Sequence, residues 1–339
     1  MMTLQDRIQA FVKLGKRLEN LSTDEFETLA RRVENNNSWF SQEQTRLALR
    51  GLQIFLQEKA LTEWLEKYDL EKVHAPRKVG VLMAGNVPAV GFHDFMSVLL
   101  SGHEFHGKLS SNDEILMKWL ADQLVAAEPR FADLIHFEPM LKGKDAYIAT
   151  GSDNSARYFE YYFGKYPNII RKNRSSVAVF SGNETEEDYL ALGEDIFQYY
   201  GLGCRNISKL FLPNEEQLQD FLKAIQPFET VITHHKYRNN YDYNKSIYLV
   251  NQQPHLDNGF LLLTKGEGLV SPISVLYYET YKDEADLTEK LSVNREKIQC
   301  VVSKEGSVAE SLPFGEAQCP GLEEYADNVD TMAFLIELK

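Results

Sequence analysis

Apolar residues recur at helical spacing through about the first 70 residues, in LQDRIQAFVKLGKRL, FETLARRV and the longer LALRGLQIFLQEKALTEWLEKY. That periodicity predicts amphipathic helices. Two of the starts carry their own caps: Ser22 with Glu25, and Ser41 with Gln44, each fit a capping box. The texture then changes. KVGVLMAG (78–85) is a short, nearly continuous apolar run ending in glycine, which predicts a strand buried on both faces.

From there strand-like and helix-like segments alternate. VGFHDFMSVLLSG reads as helix, HEFHGKLS as extended, EILMKWLADQLVAA as helix, and LIHFE and DAYIATG as extended. NSARYFEYYFG (helix), SSVAVFSG (strand), EEDYLALGEDIFQYYG (helix) and ISKLFLP (strand) follow. The alternation starts again with EQLQDFLKAI, YLVNQ, GFLLLTKG, ISVLYYETY and IQCVVSKEG. Such an order predicts parallel sheets flanked by helices. The resulting division is a helical segment over 1–75, a Rossmann-like domain over 76–181, a second α/β domain over 182–310 and a tail over 311–339.

Composition narrows the function classes. The 339 residues are 43% apolar and carry a net charge of −14, a folded globular profile that disfavours binding to a phosphate backbone, so no nucleic-acid partner is expected. No run reaches the roughly 20 apolar residues of a bilayer span, and the N-terminus lacks an apolar signal core. Three cysteines, Cys204, Cys300 and Cys319, are too few and too odd in number for a disulfide framework. A cytoplasmic protein without stable membrane insertion is the expectation.

Open α/β sheets bind ligands beyond the carboxyl ends of their strands, so chemistry is sought first in the strand-to-helix turns. In MAGNVPAVGF (83–92), Gly85 suits a sharp turn and Pro88 a first helical position, leaving Asn86 with two amide donors at a helix N-terminus. Such an amide suits an anion or a developing oxyanion, although a simple cap is the plainer role. GKLSSND (107–113) offers Lys108, Ser110 and Ser111 for a ribose or phosphate, against the plainer role of a solvated strand edge. ATGSDNSARYF (149–159) places Thr150, Gly151 and Ser152 between strand and helix, where backbone N–H groups meet a cofactor phosphate or merely form a capped turn. In YYGLGCRNISKLFLP (199–213), Cys204 stands in a glycine-rich polar turn beside Arg205, unlike Cys300 inside KIQCVVS. That setting suits an exposed, reactive thiol more than a packed one. His234 and His235 are adjacent and lack metal-ligand spacing, so no metal set is expected.

Taken in order, these segments resemble the aldehyde dehydrogenase superfamily. More closely they resemble the acyl-CoA (fatty-acyl) reductases related to the reductase subunit of the bacterial bioluminescence fatty-acid reductase complex. The carrying residues are MAGNVPAVGF, GKLSSND, YIATGSDNSARY, IIRKNRSSVAVFSGNE, DIFQYYGLGCRNISKLFLP and LPFGEAQCPGLEEYADNVDTMAFL, spanning about 78–339. The resemblance implies an aldehyde-dehydrogenase-like α/β fold, with a Rossmann-like cofactor domain, an α/β catalytic domain and a helical N-terminal segment. It makes Cys204 the nucleophile, Asn86 the oxyanion donor, Lys108 the residue that holds the adenosine ribose, and Ser152 part of the turn that meets the cofactor diphosphate. Gly85, Ser110, Thr150 and Gly151 fall beside them.

Two departures refine the expected chemistry. Where the resembled enzymes carry a glutamate base ahead of the cysteine, this chain reads RKNRSS, with no carboxylate. Without a base to activate water, an acyl-cysteine exchanges with a thiol or is reduced rather than hydrolysed. Ser111 stands where a glutamate often repels a 2′-phosphate, so NADPH is favoured over NADH. The expected substrate is therefore an acyl-CoA or acyl-carrier thioester, reduced by NADPH or NADH to an aldehyde. Arg174 and Arg205 are candidates to hold its phosphates or to favour the thiolate. A homo-oligomer and an acyl-transfer partner protein are further expectations. The nicotinamide-side glutamate is also missing: EGLVSPIS (267–274) keeps Pro272 but offers only Glu267 nearby. That keeps a non-reducing acyl-transfer subunit as an alternative, beside an enzyme for another acyl donor such as an acyl phosphate.

Overall fold

Caps and one deliberate break organise the N-terminal helices. Helix α1 (Leu4–Glu19) starts in a capping box of Thr3 with Asp6, and α2 (Thr23–Asn36) in the expected box of Ser22 with Glu25. Ser41 caps α3 (Gln42–Phe55) by accepting the Gln44 amide. The long apolar stretch predicted as one helix divides here, because α4 (Glu58–Leu65) begins only after an extended Gln57. The break drops Leu56 into the core, 1% exposed, against Gly15 of α1. A β-carbon at Gly15 would lie 2.8 Å from that of Leu56, so a continuous helix would forfeit a close-packed contact.

The computed structural model describes residues 2–70, 73 and 75–338, and these fall into two units. The first holds the chain up to Asn173 together with the stretch from Gly321; the second is Arg174–Pro320.

In the first unit five parallel strands, β1 (Lys78–Leu82), β2 (Glu104–Lys108), β3 (Ile135–Phe137), β4 (Ala146–Thr150) and β5 (Asn168–Arg171), lie in the order β3-β2-β1-β4-β5. Helices α5 (Phe92–Ser101), α6 (Glu114–Ala127) and α7 (Asp153–Phe163) connect them. The separate helical segment expected over 1–75 is not separate. Phe11 of α1 meets Phe92, Phe95 and Phe131 with ring centroids 6.3, 6.5 and 5.9 Å away, so helices and sheet share one core. The expected tail over 311–339 also divides. From Gly321 it belongs to this unit: Trp64 donates to the Tyr325 hydroxyl at 2.9 Å, and Arg171 reaches Asp94 (2.6 Å) and Thr331 (2.7 Å). Met332 and Leu335 of α12 (Thr331–Ile336) join the same core.

The second unit contains β6 (Ser175–Val179), α8 (Glu186–Phe197), β7 (Ile207–Leu212), α9 (Leu218–Ala224), α10 (His235–Val250), β8 (Leu256–Asp257), β9 (Leu262–Lys265), β10 (Val275–Thr280), α11 (Glu284–Val293), β11 (Ile298–Ser303) and β12 (Leu312–Pro313). Its sheet runs β12-β11-β6-β7-β10-β9-β8, parallel throughout except β8 with β9. The boundary expected after residue 181 therefore moves to 173, because β6 is a wholly buried central strand paired with β7 and β11. YLVNQ is no strand: it begins in the last turns of α10, whose buried stripe is Tyr237, Tyr241, Asn244 and Tyr248. Among the described residues no helix is long and apolar enough to cross a membrane.

Candidate functional site

The first sheet changes winding direction between β1 and β4, since β2 and β3 build to one side of β1 and β4 and β5 to the other. The crevice beyond the carboxyl ends of those two strands is where such sheets take ligands. Gly85, Asn86, Thr150, Gly151 and Ser152 all lie on the turns leaving β1 and β4, and Lys108 closes the neighbouring β2.

Gly85 is required for a different reason than the expected sharp turn. Its φ is not among the positive values; instead, an added β-carbon would fall 2.5 Å from Ser110 Cβ. The β1 and β2 turns thus press directly on one another. Nor does Asn86 sit at a helix N-terminus, because α5 starts only at Phe92 with Gly91 as its cap. Asn86 is exposed on a turn ahead of the helix, and Pro88, buried, belongs to that turn. The turn is fixed at Ala89, whose φ of 57° is left-handed and whose N–H donates to Asp113 Oδ2 at 2.9 Å. Asp113 was not singled out from sequence. It is 2% exposed, its other carboxyl oxygen is buried without a partner among the described residues, and burial holds its pKa well above the usual carboxylate range. This buried carboxyl, through its bond to Ala89, holds the turn that carries Asn86.

Lys108 is exposed at the end of β2, and Ser110 accepts the Asn112 amide at 3.3 Å. Ser111 is exposed, and its carbonyl takes the Asn36 side chain at 2.8 Å. Gly151 is another close approach: its N–H donates to the Arg171 carbonyl, and a β-carbon would lie 2.8 Å from the Phe159 ring. Ser152 caps α7 by accepting the Ser155 amide at 3.2 Å. These turns bring two close-packed glycines, several hydroxyls, the exposed Lys108 and the N-terminus of α7, capped by Ser152, to the carboxyl ends of neighbouring strands.

In the second unit Cys204 occupies the turn between a 3₁₀ stretch (Gln198–Gly201) and β7, half-buried. Its position is set by its neighbours. The Ser176 hydroxyl of β6 donates to the Cys204 carbonyl at 3.0 Å and lies 3.1 Å from Cys300 Sγ. Asn206, 2% exposed, accepts the Gly203 N–H at 2.7 Å and donates to the carbonyls of Asp195 (3.0 Å) and Gln198 (2.8 Å). The turn is thereby pinned to the end of α8. Asp195, fully buried, accepts the amides of Gly315 (2.7 Å) and Ala317 (2.9 Å), and burial pushes its pKa up to about 7.

Arg205, a candidate for phosphate contact, spends its Nε–H on the Ala317 carbonyl, and Arg174 donates to the Ile298 carbonyl at 3.3 Å. Both make backbone contacts that tie segments of this unit together. Lys209, 1% exposed, bonds Glu279 (2.6 Å) and the Glu267 carbonyl (3.0 Å), which leaves Glu267 exposed on a loop fixed from beneath. His234 caps α10 by accepting the Tyr237 amide at 3.4 Å. The turns after β1, β2 and β4 thus belong to one unit and the cysteine turn to the other. Sequence reasoning missed Asp113, Ser176, Asp195 and Lys209. The signal was available for Asn206 alone, as a polar residue opening an apolar strand.

No protein-family model matches the sequence, and no curated protein is significantly similar to it. Solved structures do share its fold. The Mycobacterium tuberculosis aldehyde dehydrogenase complexed with NAD+ superposes with a TM-score of 0.63 at 13% identity, over 89% of this chain and 73% of that one. An NADP dependent enzyme of E. coli gives 0.66 at 12% identity, over 93% and 76%. A histidine-to-alanine variant of the propionaldehyde dehydrogenase from the Clostridium phytofermentans fucose utilisation bacterial microcompartment gives 0.60 at 10% identity, over 94% and 82%. The fold is therefore that of the aldehyde dehydrogenases: a Rossmann-like unit and an α/β unit, as the resemblance implied.

Proposed function

We propose that this chain is an NAD(P)H-dependent reductase of acyl thioesters, acyl-CoA or acyl-carrier, which passes the acyl group through Cys204 and yields an aldehyde. The observation that carries the reading is the Cys204 turn, a half-buried cysteine on a backbone held by Ser176 and Asn206, in a fold shared with aldehyde dehydrogenases. The thiolate of Cys204 attacks the thioester carbonyl; its own N–H donates to the oxyanion, a role that the resemblance also gives the Asn86 amide; the departing thiol takes the proton lost from Cys204. When bound along Lys108, Ser110 and the 150–152 turn, NAD(P)H supplies the hydride that releases the aldehyde. The neighbours complexed with NAD+ or described as NADP dependent support that cofactor class.

Release by water is disfavoured because residues 171–176 contain no carboxylate. A general base contributes typically about 10²–10⁴-fold to such a step. The exposed Ser111, where a glutamate would repel a 2′-phosphate, supports acceptance of NADPH. The likeness to a propionaldehyde dehydrogenase is compatible with thioester chemistry. One observation favours a second reading, a non-reducing acyl-transfer subunit: Glu267, the only carboxylate in 267–274, is exposed on its loop.

The test is NADPH oxidation with a series of acyl-CoA thioesters, beside Cys204→Ala. Aldehyde formation that vanishes in Cys204→Ala supports the reductase. Acylation of Cys204 in intact-mass spectra, with no NADPH consumed for any thioester, replaces it with the acyl-transfer reading.

A further inference from the structure

We propose that the edge of the first sheet carries a transition-metal site, built by Glu104 and His106 of β2 and His136 of β3, whose natural occupant is a divalent cation of the zinc class. Residues two apart on a strand share a face, so Glu104 and His106 project together. The parallel register then sets His136 directly beside His106, with the two imidazoles stacked at 4.5 Å and 24°. One donor atom from each of the three residues lies within 4.8 Å of the others.

The surroundings decide which atoms are donors. Glu138 Oε1 lies 2.6 Å from His106 Nδ1 and 2.7 Å from the buried Lys144 ammonium. Nδ1 is thus engaged on that side, with Lys144 Nζ also 3.0 Å away, which leaves Nε2 as the ring atom facing Glu104 Oε2, at 3.5 Å, beside the second imidazole. A carboxylate on the far nitrogen is the outer partner that metal-ligating histidines ordinarily have.

Two nitrogens and one carboxylate oxygen suit zinc, nickel or copper rather than calcium or magnesium. Zinc bonds of about 2.0–2.2 Å need the donors somewhat closer than they stand, and His136 and Glu104, both partly exposed, are free to close on the ion. A water from the open side completes the coordination. Bound there, the ion would tie β3, the edge strand, to β2, at the end of β2 away from Lys108.

The test is calorimetric titration of Zn²⁺ alone into the full chain, stripped with chelator, in a Cys204→Ala/Cys300→Ala/Cys319→Ala background that removes competing thiols. One bound equivalent is expected. His136→Ala and Glu104→Gln should each weaken it by at least about tenfold, whereas His234→Ala should not. Co²⁺ in place of Zn²⁺ should give visible absorption bands that His136→Ala removes. No single-site binding by the background protein overturns the proposal outright. Binding that persists unchanged in either folded variant, verified by circular dichroism, overturns it equally; Glu104→Gln decides if His136→Ala fails to fold.

Discussion

Replacing Asn206 with alanine should loosen the cysteine turn before anything else in the molecule. The side chain makes four bonds to backbone groups, to the Gly203 N–H (2.7 Å) and to the carbonyls of Asp195 (3.0 Å), Ile196 (3.4 Å) and Gln198 (2.8 Å), at 2% exposure. Alanine leaves all four groups without that partner and too deep for ready hydration. The Gly203 N–H has one proton and loses its acceptor, whereas each carbonyl oxygen keeps a second lone pair, so the N–H contributes most of the penalty, about 1–3 kcal/mol, and the three carbonyls add about 1 kcal/mol more between them. The expected loss is about 3 kcal/mol. Tryptophan fluorescence is the wrong probe, because Trp39, Trp64 and Trp119 all belong to the first unit. The informative assay is urea-dependent hydrogen exchange on peptides of the second unit, paired with the alkylation rate of Cys204 by mass spectrometry. Asn206→Ala should exchange at lower urea and alkylate faster. Asn206→Asp should be worse still, because it turns a carboxylate oxygen toward the carbonyls that Nδ2 satisfied. Wild-type exchange and alkylation in Asn206→Ala would refute the claim that this amide holds the turn.

Two further outcomes follow from the same geometry. Asp195 has a folded pKa raised from 3.8 to about 7 by burial, so the native state keeps a proton that the unfolded chain releases near pH 4. Stability of the second unit should therefore fall as pH rises from about 4 to about 7 and level off above, and Asp195→Asn should flatten that slope in urea titrations followed by the same exchange peptides. Under the proposed function Asn86→Ala should lower kcat by about 10²–10³ while leaving NADPH affinity unchanged by fluorescence titration; a loss of binding instead would assign Asn86 to the cofactor.

What could be read from sequence was set by how local the determining interaction is. The turns after β1 and β4 were legible because both strands are apolar runs that end in a glycine-bearing turn, and the capped starts at Ser22 and Ser41 were legible because a cap is a contact over three residues. β5 was hidden: NIIR lies in an aromatic and basic tract, and its strand character comes from pairing with β4. The unit boundary was hidden for the same reason, since SSVAV reads as one more strand and only its partners β7 and β11 assign it to the second sheet. Of the candidate site, Cys204, Lys108, Gly151 and Ser152 stood where the turns predicted them. The reason for Gly85 did not, because the residue that forbids a side chain there, Ser110, is 25 positions away.

The cysteine turn also shows how the chain dispenses with glycine where glycine would be simplest. Tyr199 and Tyr200 both adopt left-handed backbone, at φ 53° and 57°, ahead of Gly201 at φ 75°. A bulky residue in that region costs roughly 1–2 kcal/mol, so two in succession must be held by something other than local preference. The Tyr200 ring lies 4.4 Å from His234 and 6.3 Å from Tyr237, which places the strained residue against the start of α10. Asn206 closes the turn from the other side, through the Gln198 carbonyl immediately before the tyrosines. A glycine pair at these positions would reach the same conformation with less strain. It would also remove the ring contacts and leave the backbone ahead of Cys204 with many conformations in place of one. The tyrosines convert side-chain packing into a fixed direction for the chain, and the thiol inherits that direction five residues later.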